Sequence, residues 1–97
     1  MQNNQSLSGK VALVTGSGRN IGKATALHLA SLGAAVAVNA RTNESEAKSV
    51  EKEIIANGGQ ALSVLGDVGS ENEVKSMFEK IESTLGNVTI LVNNAGL

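Results

Sequence analysis

The chain has 97 residues, room for one small domain and too few for two. Its 41% hydrophobic and 18% charged residues are the balance of an ordinary globular protein. That balance excludes a collagen-like repeat, a charge-driven disordered tail and a membrane protein. A net charge of −1 gives no electrostatic footprint for nucleic acid or an anionic membrane. Without cysteine there are no disulfides and no thiolate metal sites. The polar start, residues 1–10, lacks the apolar core of a signal peptide, so the expected location is cytoplasmic. Tyrosine and tryptophan are absent and Phe78 is the single aromatic. A mechanism that needs a tyrosine acid therefore cannot run on this chain alone.

In chain order, Lys10–Thr15 is an apolar run predicted as the first strand. Asn20–Leu32 follows as a helix closed by Gly33, with Gly22, Ala26, Leu29 and Gly33 on a face small enough to approach a sheet closely. Ala35–Ala40 is the second strand. Ser45–Asn57 is a helix closed by Gly58, with a thin apolar stripe of Ala47, Val50 and Ile54. Glu44, Lys48, Glu51, Lys52 and Glu53 read as its solvated surface. Gln60–Leu65 is the third strand. Glu71–Leu85 is the third helix, opened by Ser70 and Glu73 at the spacing of a capping box and closed by Gly86. Its stripe is Val74, Met77, Phe78, Ile81 and Leu85. Val88–Asn93 is the fourth strand.

The strands lack strict alternation, the habit of strands buried on both faces of a parallel sheet. The order β-α-β-α-β-α-β with right-handed crossovers predicts an α/β fold: half of a three-layer, doubly wound parallel sheet in the order 3-2-1-4. Such a sheet places ligands at the carboxyl ends of its strands, near the switch between strands one and four.

The first strand runs into Thr15, Gly16, Ser17, Gly18, Arg19, Asn20, Ile21 and Gly22. A glycine-rich turn that opens a helix exposes backbone N–H groups, which favour a phosphate. It is not a P-loop: the glycine spacing is one residue too long, and Ala24 stands where a metal-binding hydroxyl is required. Nor does it fit G-x-G-x-x-G, because its last glycine comes one residue late. A tight turn that needs glycine for backbone reasons gives the same pattern, so the loop alone is a weak signal. The end of the second strand sharpens it. Sites that prefer NAD place an acid there, to accept hydrogen bonds from the adenosine ribose. Here Asn39, Ala40 and Arg41 offer no acid, and the Arg41 guanidinium suits a 2′-phosphate, with Arg19 as a second positive charge. The competing reading makes both arginines plain exposed loop residues.

These features, together with Asp67-Val68 after the third strand and Asn93-Asn94-Ala95-Gly96 after the fourth, resemble the N-terminal half of short-chain dehydrogenases/reductases. The flavour is closest to the 3-oxoacyl-carrier-protein reductase-like branch. The resemblance implies a Rossmann domain over residues 9–97, cut after its fourth strand and preceded by a polar tail over residues 1–8. It implies that Gly16, Gly18 and Gly22, with Ser17, Arg19, Asn20 and Ile21 among them, line a pyrophosphate turn. Asp67 would meet the adenine amino group with Val68 beside the ring. Asn93, Ala95 and Gly96 would border the ribose on the nicotinamide side. Ala40 takes the place of the acid of NAD-preferring members. Asn20 departs from the usual Gly or Ala, and asparagine tolerates turn conformations. Asn94 also reads as a structural hydrogen-bonder, and Asp67 as a solvated strand-end carboxylate. His28 reads as a surface residue, and the sequence shows no metal site.

The implied activity is hydride transfer between NADP(H), favoured over NAD, and a small-molecule carbonyl/alcohol pair, in a homo-oligomer at full length. No partner among nucleic acids or membranes is expected. The family's catalytic serine, tyrosine and lysine lie beyond the last segment, so no catalytic residue is assigned and this chain alone is predicted to be inactive. The alternatives are a module that binds or senses NADP(H) without chemistry and a partial sequence with no independent function. An open reading frame continuing to Tyr-x-x-x-Lys would establish the enzyme reading against both.

Overall fold

The computed structural model describes residues 5–95. Its elements are β1 (Val11–Val14), α1 (Asn20–Ser31), β2 (Ala35–Ala40), α2 (Glu44–Ala56), β3 (Gln60–Leu65), α3 (Glu71–Thr84) and β4 (Ile90–Val92). The four strands form one parallel sheet in the order β3-β2-β1-β4, as the crossover rule predicts. Leu13 is the centre of the register, paired with Ala37 on one side and Leu91 on the other.

Successive side chains of a strand point to opposite faces, and both faces are covered. Ala12 and Val14, with Val36, Val38 and Ala40, pack against Ala26 of α1 and Ala47, Val50 and Ile54 of α2. Val11, Leu13, Ala35, Ala37 and Val64 pack against Met77 and Ile81 of α3. The result is three layers, with the predicted stripes of α2 and α3 facing inward. Leu7 packs against the first of these cores, and its N–H donates to the Leu32 carbonyl at 2.9 Å.

β2 and β3 have their predicted bounds, whereas β4 is shorter, with three residues. The cause is Thr89. Its hydroxyl oxygen takes the Val11 N–H at 3.1 Å, a place that a main-chain carbonyl would fill in a regular ladder. α2 starts one residue before its predicted start because Asn43 caps it, accepting from the Glu46 N–H at 3.1 Å. Asn43→Ala is expected to lower stability by about 1 kcal/mol, read as a shifted urea midpoint with an unchanged slope.

The capping box of α3 is half formed. Ser70 Oγ accepts from the Glu73 N–H at 3.3 Å, but the Glu73 carboxylate takes the Asp67 N–H at 2.9 Å in place of the Ser70 N–H. The Ser70 N–H goes to the Asp67 carbonyl, also at 2.9 Å. Glu51 corrects the picture of a uniformly solvated α2 surface. It is half-buried, and its carboxylate accepts the Ser63 N–H at 3.0 Å on the outer margin of β3. Lys80 of α3 donates to the Ser63 carbonyl at 3.3 Å. Both main-chain groups of this edge residue are thus met by side chains from the flanking helices.

A cleft of about 690 Å³ opens at the amino ends of β2 and β3, lined by Ala30, Gly33, Asn57 and Gly59 among others. The carboxyl ends of α1 and α2 turn their partial negative charge toward it, which disfavours an anion. Among the described residues, no helix is long and apolar enough to cross a membrane.

Candidate functional site

At the opposite, carboxyl end of the sheet, four segments meet through hydrogen bonds. Thr15 joins β1 to the end of β4: its hydroxyl oxygen accepts the N–H groups of Asn94 and Ala95 at 2.9 and 3.0 Å. Asn94 donates its side-chain amide to the Gly16 carbonyl at 3.2 Å. Asn39 joins the glycine loop to β2 and β3, its Oδ1 accepting the Gly16 N–H at 2.9 Å and its Nδ2 lying 3.2 Å from the Gly66 carbonyl. Arg41 Nη2 stands 3.4 Å from Asp67 Oδ2, linking the ends of β2 and β3.

The loop needs its glycines for two different reasons. Gly16 has φ +62°, in the left-handed region where a side chain is strained. Gly22 has no room: a Cβ there would collide with the Gly16 carbonyl oxygen and come within 2.8 Å of Asn94 Nδ2. Asn20 adopts φ +58°, so the departure from glycine falls at a left-handed position, where asparagine is among the tolerated residues. α1 begins just after Arg19, with no side chain capping it and no acid in its first turn. Its first N–H groups and the positive end of its dipole therefore face outward.

The predicted site residues divide by burial. Ser17 and Asn39 are interior: the Ser17 hydroxyl donates to the Val14 carbonyl at 2.6 Å, and Asn39 is 1% exposed. Because the Gly16 and Ser17 N–H groups are engaged by Asn39, the donors left for a phosphate lie further on, at the start of α1. Arg19, Asn20 and Ile21 are exposed, Ile21 by 74% despite its apolar side chain. Ala40 is buried, Arg41 has a side chain 77% exposed, and Val68 is exposed. Asp67 is half-buried, its Oδ1 accepting the Gly69 N–H at 2.8 Å. Gly18 is half-buried near Glu46 of α2. Asn93 is exposed and Ala95 half-buried, while Gly96 lies outside the described residues.

Sequence reasoning passed over Gly66, where a Cβ would meet Met77 Sδ at 2.6 Å. Its signal was present: a glycine directly after a strand and before Asp67. His28 is exposed, and among the described residues no group of acids and histidines is arranged to hold a metal.

A glycine loop between a parallel strand and an uncapped helix, at the carboxyl edge of a doubly wound sheet, is the layout of α/β nucleotide-binding proteins. Within that class, the model of the short chain dehydrogenase family matches residues 10–97, and the chain belongs to that family. It is 47% identical over 88 residues to the short-chain dehydrogenase/reductase homolog YusS of Bacillus subtilis, covering 91% of this chain and 81% of that protein. It is 45% identical to a 3-oxoacyl-[acyl-carrier-protein] reductase of Synechocystis, covering 94% of this chain and 37% of the reductase. Among solved structures, a hydroxysteroid dehydrogenase from Escherichia coli is similar with a TM-score of 0.89 and 43% identity, over 98% of this chain and 40% of that one. Landomycin C-6 ketoreductase LanV, solved with bound NADP and rabelomycin, is similar with a TM-score of 0.84 and 40% identity, over 94% of this chain and 40% of LanV. The chain thus spans most of one relative and less than half of the other three.

Proposed function

We propose that the chain is the cofactor-binding part of a short-chain oxidoreductase that uses NADP(H) on a small-molecule carbonyl/alcohol pair. The observation that carries the reading is the end of β2. Buried Ala40 stands where an acid would hold the adenosine ribose, and Arg41 follows with its guanidinium exposed. The pairing of Arg41 with Asp67 is an exposed one, of the kind worth little, so the guanidinium is free to turn to a phosphate. The pyrophosphate would lie on the outward N–H groups of α1, beside Gly18, Arg19, Asn20, Ile21 and Gly22. Asp67 and Val68 would take the adenine. Asn93, Ala95 and Gly96 would take the nicotinamide ribose. LanV binds NADP, which supports the same reading.

When bound, the nicotinamide supplies or accepts the hydride. This chain's residues bind and orient it. No tyrosine is available to hold a proton at a carbonyl oxygen, so the 97-residue chain is expected to bind NADP(H) without oxidising NADPH in the presence of a ketone. One alternative is a module that binds or senses NADP(H) without chemistry.

The test is binding by nicotinamide fluorescence. Charge-assisted hydrogen bonds to a phosphate contribute roughly 1.5–3 kcal/mol each, so NADPH should bind more than tenfold tighter than NADH. Replacing Ala40 with Asp and Arg41 with Gln should reverse the preference. Equal affinity of the unmutated chain for the two nucleotides would remove the basis of the NADP assignment.

A further inference from the structure

Asn39 is a polar residue at the end of an otherwise apolar buried strand, and its side chain does not reach the surface. Three hydrogen bonds tie it to the glycine loop. Its Oδ1 accepts the Gly16 N–H at 2.9 Å, its carbonyl accepts the Ser17 N–H at 2.7 Å, and its N–H donates to Ser17 Oγ at 2.8 Å. On the other side Nδ2 faces only acceptors: the carbonyls of Val64 and Gly66 at 3.2 Å, that of Ala40 at 3.3 Å, and Met77 Sδ at 3.2 Å. One amide therefore grips the loop after β1, the end of β3 that leads to Asp67, and α3.

We propose that Asn39 is the positioning residue of the glycine loop, setting Gly16 in its left-handed conformation and so aiming the N–H groups that follow it. The consequence for affinity rests on reading this loop as the nucleotide site. The chemistry is specific to an amide, which accepts at one end and donates at the other. A carboxylate would set negative oxygens against the Val64 and Gly66 carbonyls, whereas a protonated carboxyl restores a donor. Burial raises the pKa of a carboxyl group, so Asn39→Asp should titrate in the accessible pH range. None of the groups bonded to the Asn39 side chain is titratable. The charged groups on the surrounding segments are Arg19 on the loop, Arg41 and Asp67 paired at the strand ends, and on α3 Glu71, Glu73, Lys75, Glu79, Lys80 and Glu82, of which Glu73 is bonded to the Asp67 N–H and Lys80 to the Ser63 carbonyl.

The experiment compares the unmutated chain and Asn39→Asp between pH 5.5 and pH 9. Hydrogen exchange of residues 15–22, corrected for the intrinsic pH dependence, reads the loop. Calorimetric titration with NADP reads the site, and circular dichroism reports the fold. The expected result is that the variant matches the unmutated chain within about threefold at pH 5.5. By pH 9 its loop should exchange at least tenfold faster and its affinity should fall at least tenfold, with helix and strand content retained. A folded variant at pH 9 with unchanged loop exchange overturns the proposal. Should the variant not fold at pH 9, the unmutated chain decides. Gly16 and Ser17 amides that exchange about a hundredfold slower than in an open chain support the proposal, and amides that exchange freely overturn it. If loop exchange follows pH as expected but NADP binds neither chain, the positioning role stands and the nucleotide reading falls.

Discussion

Gly22→Val is expected to unfold the chain or to leave it destabilised by about 3 kcal/mol or more, at or above the upper end for overpacking a close-packed interior. The Gly16 carbonyl that a Cβ at position 22 would strike is main chain, and it is held by the Asn94 amide at 3.2 Å. Neither group yields without breaking the join between the loop and the end of β4. A domain of this size has only about 5–15 kcal/mol to lose. Gly16→Val makes the informative contrast. There the nearest atoms stand at 3.3–3.4 Å, so the space is merely tight, and the penalty is conformational, about 1–3 kcal/mol at φ +62°. That variant should keep its helix and strand content and lose NADP(H) binding. Urea melts followed by circular dichroism, with binding measured on whichever protein remains folded, test the pair. A Gly22→Val chain with the unmutated midpoint would contradict the packing argument, and unchanged cofactor affinity in folded Gly16→Val would mean that the site lies elsewhere.

The purified 97-residue polypeptide is expected to self-associate through β4. Ile90 and Val92 pack inward against the face shared with α1 and α2. Leu91 points to the other face and is 58% exposed. Among the described residues β4 pairs with β1 alone, so it presents a free strand edge with an apolar side chain beside it. Leu91→Lys should leave the fold intact and shift the population to monomer, since a charge on an edge strand opposes pairing. Size-exclusion chromatography with light scattering reads both. A stable monomer of the unmutated polypeptide would end the edge argument.

The order of the elements and the sheet topology were legible because each strand is a short apolar run and each helix closes on a glycine. Helix ends fell within a residue of expectation for the same reason. The Asn43 cap has a sequence signal too, since Asn43 and Glu46 have the same spacing as Ser70 and Glu73. What the sequence hid were contacts made across the sheet. In the sequence Asn39 reads together with its exposed neighbour Arg41, because nothing local reveals that its amide will meet Met77 on a helix far along the chain. Glu51 reads as one more solvated charge because its partner, the Ser63 N–H, becomes visible only when β3 is known to be an edge. The four segments of the candidate site were legible as strand ends. Their mutual bonds, above all Arg41 with Asp67, follow from the spatial order of strands that are distant in sequence.

The bonds that Glu51 and Lys80 make to Ser63 give the sheet a direction of growth. With both main-chain groups of that residue already answered, a strand arriving at the β3 margin finds its template interrupted and two side chains in its way. The β4 margin carries no such plug among the described residues. Lengthening of the sheet, whether by another stretch of the same polypeptide or by a strand supplied in trans, is therefore favoured at the β4 margin. A peptide designed to complement this half-sheet should be built to lie along Ile90, Leu91 and Val92.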